Sequence, residues 1–222
     1  MMNKKGFIFD LDGVIVDTAK YHYLAWKNLA EELGISFSEI QNEQLKGVSR
    51  IRSLEKILEW GNLEIPQDKF DKLLVEKNEE YLSYINNMNQ NEILPDAVRV
   101  LEYLKTQNCG IALGSASKNA RIILDKVNLR EHFETIIDGT DVTKAKPDPE
   151  VFIKGAERLN IAPEHCVVFE DSVAGIQAAN AAGMVSIGIG DSAILYEADY
   201  VFENFKEMDN QFINQLITTE KV

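Results

Sequence analysis

Phe7-Ile8-Phe9-Asp10-Leu11-Asp12-Gly13-Val14-Ile15-Val16-Asp17-Thr18 is the stretch on which the fold turns. Phe7 to Phe9 form a continuous apolar run, the pattern of an interior strand, which ends in two carboxylates and a glycine that permits a tight turn. Residues two apart on an extended chain share a face, so Asp10 and Asp12 are neighbours whose repulsion needs a cation or a proton to offset it. Taken alone, Asp-x-Asp-Gly is more often an ordinary turn, because Asp accepts local backbone bonds and Gly accepts positive φ. The remainder of the chain decides between the two.

Beyond this strand the pattern is helical. Asp17 or Thr18 can cap a helix to about Leu33, with His22, Trp26, Leu29 and Leu33 on one face and Gly34 as its stop. Further helices are predicted at about 38–45, 51–60 (ended by Gly61) and, opened by Pro66, on to about Ile85. Between the second and third lies Lys46-Gly47-Val48-Ser49-Arg50, a short polar loop with two cations. A polar loop, Asn86 to Asn91, closes this block just before Leu94-Pro95.

From there helix and strand alternate. Helices are predicted over 95–106, 118–127, 149–159, 174–182 and 208–217, and strands over 110–115, 133–137, 166–169, 184–189 and 200–202. Strands separated by helices imply right-handed crossovers and a doubly wound parallel α/β sheet covered on both faces. The helical block is then an insertion: residues 1–14 and 94–222 form the α/β core, and residues 15–93 a helical cap with its linkers.

Composition narrows the partners. Among 222 residues, 36 Asp and Glu against 23 Lys and Arg leave a net charge of −13, which argues against a nucleic-acid or anionic-membrane surface. Cys109 and Cys166 lie far apart beside apolar segments and read as reduced, buried thiols of a cytoplasmic protein. Lys4-Lys5 before an apolar run has the beginning of a secretion signal, but Asp10 interrupts it, and no stretch approaches a membrane span.

In an open parallel sheet, ligands bind outside the carboxyl ends of the strands. Four polar clusters fall at or just beyond that edge: Asp10 with Asp12, Ser115, Lys146 and Glu170 with Asp171. Each has an ordinary structural reading, since Ser115 and Glu170-Asp171-Ser172 can cap helices and Lys146-Pro147-Asp148-Pro149 can lead into one. Together they place carboxylates, a hydroxyl and a lysine at one edge, and coincidence is the weaker account. Asp10, Glu170 and Asp171 are hard oxygen ligands suited to Mg²⁺, which takes one or two carboxylates and leaves room for water and a phosphate oxygen. One carboxylate can attack phosphorus while Lys146 and Ser115 hold the phosphoryl oxygens, and Asp12 can carry the proton.

Asp10-Leu11-Asp12-Gly13, Ser115, Lys146-Pro147 and Glu170-Asp171-Ser172 resemble, in order and over nearly the whole chain, the four motifs of the haloacid dehalogenase superfamily. The resemblance implies that Asp10 is the nucleophile and that Asp12 is the general acid/base whose backbone carbonyl also binds Mg²⁺. It makes Glu170 and Asp171 further metal positions and the inserted helices a mobile cap.

Within the superfamily, Leu45-Lys46-Gly47-Val48-Ser49-Arg50, Ser115-Ala116-Ser117-Lys118-Asn119 and the helix carrying His22 and Trp26 resemble the bacterial β-phosphoglucomutases without departure in these segments. That implies interconversion of β-D-glucose 1-phosphate and β-D-glucose 6-phosphate through β-D-glucose 1,6-bisphosphate by a protein expected to be a monomer. A mutase must hold a second phosphate away from Asp10, and Arg50 with Ser117, Lys118 and Asn119 can supply that site. Gly47-Val48 would bring backbone close to the sugar, Ser49 beside them is expected among the substrate-binding residues, and the family places Lys77 facing the site. Arg50, His22, Trp26 and Lys77 also have plainer readings as a solvated cation, a packed helix face and a surface lysine. The competing functions are a Mg²⁺-dependent sugar-phosphate phosphatase and, from another class, a noncatalytic Mg²⁺-binding, phosphorylation-sensing module. A dinucleotide-binding fold is disfavoured because Gly188-Ile189-Gly190 lacks the third glycine.

Overall fold

The structure is a computed structural model and describes residues 4–218. Its centre is a parallel sheet of six strands, β1 (Gly6–Phe9), β2 (Gly110–Gly114), β3 (Thr135–Ile137), β4 (Cys166–Glu170), β5 (Val185–Ile189) and β6 (Tyr200–Phe202), in the order β3-β2-β1-β4-β5-β6. The predicted doubly wound α/β class is therefore present. β1 pairs with β2 on one side and β4 on the other, so the strand order reverses at β1, and the crevice above its carboxyl end is where such sheets bind ligands.

Side chains alternate across a strand, and β1 uses both faces. Phe7 and Phe9 enter one apolar cluster with helices α5 (Ala97–Thr106), α6 (Ala120–Lys126) and α9 (Asn210–Thr218), whereas Ile8 joins α7 (Glu150–Leu159) and α8 (Val173–Ala181) on the opposite face. The Phe9 and Phe169 rings stack with centroids 4.5 Å apart, and Phe205 tilts against both. Gly114 ends β2 against Phe152, where an added Cβ would sit 2.9 Å from the ring.

Helices α1 (Ala19–Glu32), α2 (Glu39–Glu43), α3 (Arg50–Trp60) and α4 (Gln67–Ile85) separate β1 from the rest of the sheet in sequence. They enclose an apolar cluster of their own that includes Trp26, Leu29, Leu54, Ile57 and Leu73. Ala25 of α1 and Tyr81 and Ile85 of α4 instead join the sheet-side cluster, so both helices reach across. The two strands of chain that link this block to the sheet run side by side: Asp17 N–H donates to Glu92 O (2.9 Å) and Leu94 N–H to Ile15 O (2.9 Å). Lys20 Nζ (2.6 Å) and the Tyr21 hydroxyl (2.9 Å) also bond the Glu92 carboxylate.

Local departures from the predicted elements have identifiable causes. Thr18 stands at the start of α1 without capping it, because its hydroxyl donates to the Asp12 carboxylate. Gly61 follows α3 with a φ of −82°; the left-handed residue is Asn62, and Gly61 is small because Ile35 lies against it. β4 extends one residue further than expected, carrying Glu170 into register with Gly188. Cys109 and Cys166 are buried free thiols, and among the described residues no helix is long and apolar enough to cross a membrane.

The stacked phenylalanines hold β1 and β4 together beneath the crevice. Phe169→Ala is expected to lower the unfolding free energy by about 3–5 kcal/mol in chemical denaturation, the cost of a cavity at a fully buried aromatic position.

Candidate active site

Asp10 follows β1, and its N–H donates to Phe169 O of β4 (2.9 Å), so the backbone ladder itself sets its position. Lys146, from the loop before α7 with a cis peptide bond to Pro147, places its ammonium between two carboxylates. It bonds Asp10 Oδ1 at 2.6 Å and also Glu170 Oε1. All three are almost sealed from solvent, at 6%, 5% and 0% exposure for Asp10, Lys146 and Glu170. The other Glu170 oxygen accepts from the Ser172 N–H (2.9 Å) and hydroxyl (2.8 Å), while Ser172 Oγ caps α8 by accepting from Gly175 N–H. Gly175 has no room for a side chain, because a Cβ there would collide with the Glu170 carboxylate.

Asp12 accepts from Thr18, and Asp171 meets Lys46 Nζ at 3.2 Å across from the inserted helices. Gly13 turns the chain at a φ of +81°, and a Cβ there would strike Asp171. Ser115 Oγ accepts from Ser117 N–H (3.1 Å) and retains its own proton to donate.

These groups border one cavity of about 490 Å³ between the sheet edge and α1 to α4. Its lining includes Asp10, Asp12, Lys146 and Asp171 from the core side, together with Ala116, Ser117, Lys118 and Asn119. The helical block contributes His22, Trp26, Gly47, Val48, Ser49, Arg50 and Lys77. Ser115 and Glu170 are buried and stand behind that surface. Every other residue singled out in the sequence therefore reaches the same space. Sequence reasoning did not assign Thr18, Lys46, Asn78, Tyr81 or Ser172 to the site. Asn78 accepts from the Asn119 side chain (3.0 Å) and Lys46 reaches Asp171, two contacts between the inserted segment and the sheet side that no local motif announces.

The electrostatics follow from burial and charge count. Burial pushes the Asp10 carboxyl well up, Lys146 opposes this, and Glu170, Asp12 and Asp171 add to it. Burial likewise raises Asp12 against the Thr18 bond and Lys146, and it raises Asp171, opposed by Lys46, to about 7. For Lys146, burial acts downward but Asp10 and Glu170 outweigh it, so its ammonium stays protonated. Among the inserted helices, burial, with Lys77 and Arg50 adding, holds His22 well below its ordinary value and leaves a neutral imidazole. Its Nδ1 lies 2.9 Å from Lys77 Nζ. Lys77 is pushed down to about 7 by burial and by Arg50, with its ammonium 4.6 Å from the Trp26 ring centroid. Arg50 is half-buried and makes no ion pair among the described residues.

A hard divalent cation fits the core end of this cavity. Four carboxylates share two lysines there, and the raised carboxyls mark negative charge that burial penalises and a cation relieves. Among the described residues no three acidic, imidazole or thiol side chains form a ready-made cage. Mg²⁺ needs none, since it uses one or two carboxylates plus water and a substrate oxygen. Asp10 and Asp171 are the carboxylates that face the cavity beside Asp12 and Gly13, with Glu170 tied to Lys146 and Ser172 behind them.

Residues 4–183 match the model of the haloacid dehalogenase-like hydrolase family. The chain is 40% identical over 213 residues to a β-phosphoglucomutase of Bacillus subtilis, covering 95% of this chain and 94% of the relative. It is 30% identical over 201 residues to a phosphorylated carbohydrates phosphatase of Thermotoga maritima, covering 87% and 91%. Its fold superposes on the crystal structure of a β-phosphoglucomutase from Clostridium difficile with a TM-score of 0.92 and 40% identity, covering 96% of this chain and 97% of that one. With its sheet order, its four motifs at one sheet edge and its inserted helices, the chain belongs to the haloacid dehalogenase-like hydrolase family.

Proposed function

We propose that this protein is a β-phosphoglucomutase that interconverts β-D-glucose 1-phosphate and β-D-glucose 6-phosphate through β-D-glucose 1,6-bisphosphate. The observation that carries the reading is a second set of anion-binding groups in the cavity that holds Asp10. Arg50, Lys118, Ser117 and Asn119 line it, and the half-buried Arg50 guanidinium has no acidic partner although the chain carries a net charge of −13. Removing a phosphate ester from a sugar needs one phosphate site, whereas moving phosphate between two oxygens of one sugar needs two. The likeness to β-phosphoglucomutases supports the same choice.

In this reading an Asp10 oxygen attacks phosphorus as the bond from phosphorus to the leaving sugar oxygen breaks, and the product is an aspartyl phosphate. Asp12, whose carboxyl is raised by burial, gives its proton to the leaving oxygen and takes one back from the sugar hydroxyl that attacks in the return step. Lys146 and the Ser115 hydroxyl hold the phosphoryl oxygens, and Glu170 keeps Lys146 in place. A Mg²⁺ ion, when bound by Asp10, Asp171 and the Asp12 carbonyl, neutralises charge on the phosphoryl group. Residues 15–93 act as a cap over the core formed by 1–14 and 94–222, whose ends at 1–3 and 219–222 lie outside the described residues. Closed over the substrate, the cap excludes water while the bisphosphate turns around. Two buried thiols suit a reducing cytoplasm, and the acidic charge suits a small-molecule substrate rather than nucleic acid or membrane. Function as a monomer is part of the proposal.

The decisive test is a coupled assay with β-D-glucose 1-phosphate and a trace of the bisphosphate, measuring glucose 6-phosphate against free phosphate. Glucose 6-phosphate is expected to dominate, and Asp10→Asn should abolish both turnover and the phosphoenzyme in intact mass spectra. Predominant release of phosphate would make the protein a sugar-phosphate phosphatase. Arg50→Ala should reduce mutase turnover at least about tenfold more than hydrolysis of a small acyl phosphate, since a charge-assisted contact is worth roughly 1.5–3 kcal/mol; equal losses would remove its role at the second phosphate.

Lys77 gives a signature that turnover does not. Its folded-state value of about 7 lies below the ordinary lysine value of 10.5, so between those limits the unfolded chain binds more protons and stability rises with pH. Relative to wild type, Lys77→Met should be most favoured below pH 7 and lose that advantage toward pH 10 in urea unfolding. Parallel pH profiles would show that Lys77 titrates normally.

A further inference from the structure

Lys146 is the only buried residue between Thr143 and Glu150, and Thr143, Lys144, Ala145 and Pro147 around it are exposed. Packing of the neighbouring side chains therefore does little to hold this stretch, although the Lys146 ammonium stands between Asp10 and Glu170. What shapes it is a turn. Asp148 N–H donates to Ala145 O (3.0 Å), which closes four residues with Lys146 and Pro147 at the two central positions. Pro147 and Pro149 each fix a backbone φ and stiffen the connection from this turn into α7.

Both ends of the turn are tied to one residue, Glu150, the first of α7. Its Oε2 accepts from Thr143 N–H (3.0 Å), the Thr143 hydroxyl (3.0 Å) and Lys144 N–H (2.7 Å), all on the approach to the turn. Its own N–H donates to Asp148 Oδ1 (3.1 Å) on the exit, and Asp148 Oδ2 pairs with Lys144 Nζ (3.2 Å) across it. Glu150 Oε1 meets Lys154 Nζ at 2.6 Å, and Lys154 also donates to Asp141 O (2.7 Å). Lys154 above all, with the Lys144 and Thr143 donors, draws the Glu150 carboxyl down to about 2, so it is ionised at neutral pH. An acid in the first turn of a helix has an ordinary use in opposing the helix dipole. That use needs no particular neighbours, whereas here three donors converge on one oxygen, and all three belong to the segment that leads into Lys146.

We propose that Glu150 is a positioning residue that clamps the turn at 145–148 to the start of α7 and so sets the Lys146 ammonium where it meets Asp10 and the transferring phosphoryl group. This rests on the phosphoryl-transfer reading of the cavity and adds to it a residue that does not line that cavity. Thr143, Lys144 and Ala145 do line it, so the same clamp fixes one wall. A displacement of about 1 Å at a group holding the reacting atoms costs on the order of 100-fold in rate, while contacts made at the far end of the substrate by Arg50 and residues 117–119 are untouched.

Wild type, Glu150→Ala and Glu150→Gln are compared on β-D-glucose 1-phosphate with a trace of the bisphosphate, scored as total turnover to any product, and on hydrolysis of acetyl phosphate. Melting temperatures are measured in the same buffer. Glu150→Ala is expected to lose about tenfold or more in kcat on both compounds, with KM for the sugar phosphate within about twofold of wild type, and to remain folded at the assay temperature. Glu150→Gln keeps an acceptor of the same reach without the charge and should recover most of the lost kcat. An unchanged kcat in Glu150→Ala, a loss confined to KM, or a fall in melting temperature that accounts for the lost activity would overturn the proposal. So would an equal loss in Glu150→Gln, which would make the charge at the start of α7 the cause. Release of free phosphate by wild type would remove the mutase reading alone, since either reaction passes through Asp10 and Lys146 and the comparison still decides for Glu150. Absence of turnover of both compounds by wild type would overturn both.

Discussion

Lys146 holds Asp10 and Glu170 on either side of one ammonium, and the active-site end of the molecule depends on that buried contact. Three nearly sealed ionic groups are costly to desolvate, and an arrangement of this kind persists only where the charges are paired and their remaining bonds are met. Here they are met from elements far apart in sequence. β1 presents Asp10, β4 presents Glu170, the loop before α7 brings Lys146, and the start of α8 gives Ser172 to the outer Glu170 oxygen. Phe9 stacked on Phe169 fixes the spacing of the two strands below. Removing the lysine would leave two carboxylates facing each other without a counter-ion.

A second consequence is directional. With its inner end tied by Lys146, the carboxylate cluster turns its remaining charge, Asp12 and Asp171 with the free side of Asp10, toward the cavity. That charge is answered on the opposite elements by cations the chain otherwise has in short supply. Lys46 reaches Asp171, Lys77 lies against His22, and Arg50 waits without a carboxylate. Apolar surface supports these polar groups, since Trp26 and Tyr81 carry the ammonium of Lys77 on their faces. The cavity thus pairs acids below with bases above, and a phosphorylated sugar complements both.

Much of this was legible in the residues. The apolar run at Phe7 to Phe9 reads as a buried strand, and the alternation after Leu94 of short apolar runs with longer amphipathic stretches sets a parallel sheet, because strands covered on both faces are short and continuously apolar while the helices between them carry one apolar face. The cluster of Asp10, Asp12, Ser115, Lys146, Glu170 and Asp171 was visible because each stands at the carboxyl end of a strand or just beyond it. Of the two expected caps, Asp17 and Thr18, Thr18 takes the N-cap position of α1 but its side chain does not cap. A hydroxyl before a helix has the sequence of a cap, and only the fold brings the part-buried Asp12 carboxylate close enough to take its proton. Lys46, Asn78 and Tyr81 were passed over for a related reason. Asn78 and Tyr81 sit on α4 and Lys46 in the turn after α2, and nothing in those stretches says which groups meet the core.

Phe7 to Thr18 and the three later clusters determined the fold class and the kind of chemistry, because strand burial and carboxylate placement are properties of short stretches. Tertiary structure alone decided which groups are paired and which are left open. It tied Glu170 to Lys146 behind the surface, joined Lys46 to Asp171, and left the Arg50 guanidinium at the cavity without an ion-pair partner among the described residues. The physical reason is that desolvation and pairing depend on every element around a group, and chains distant in sequence supply most of those neighbours.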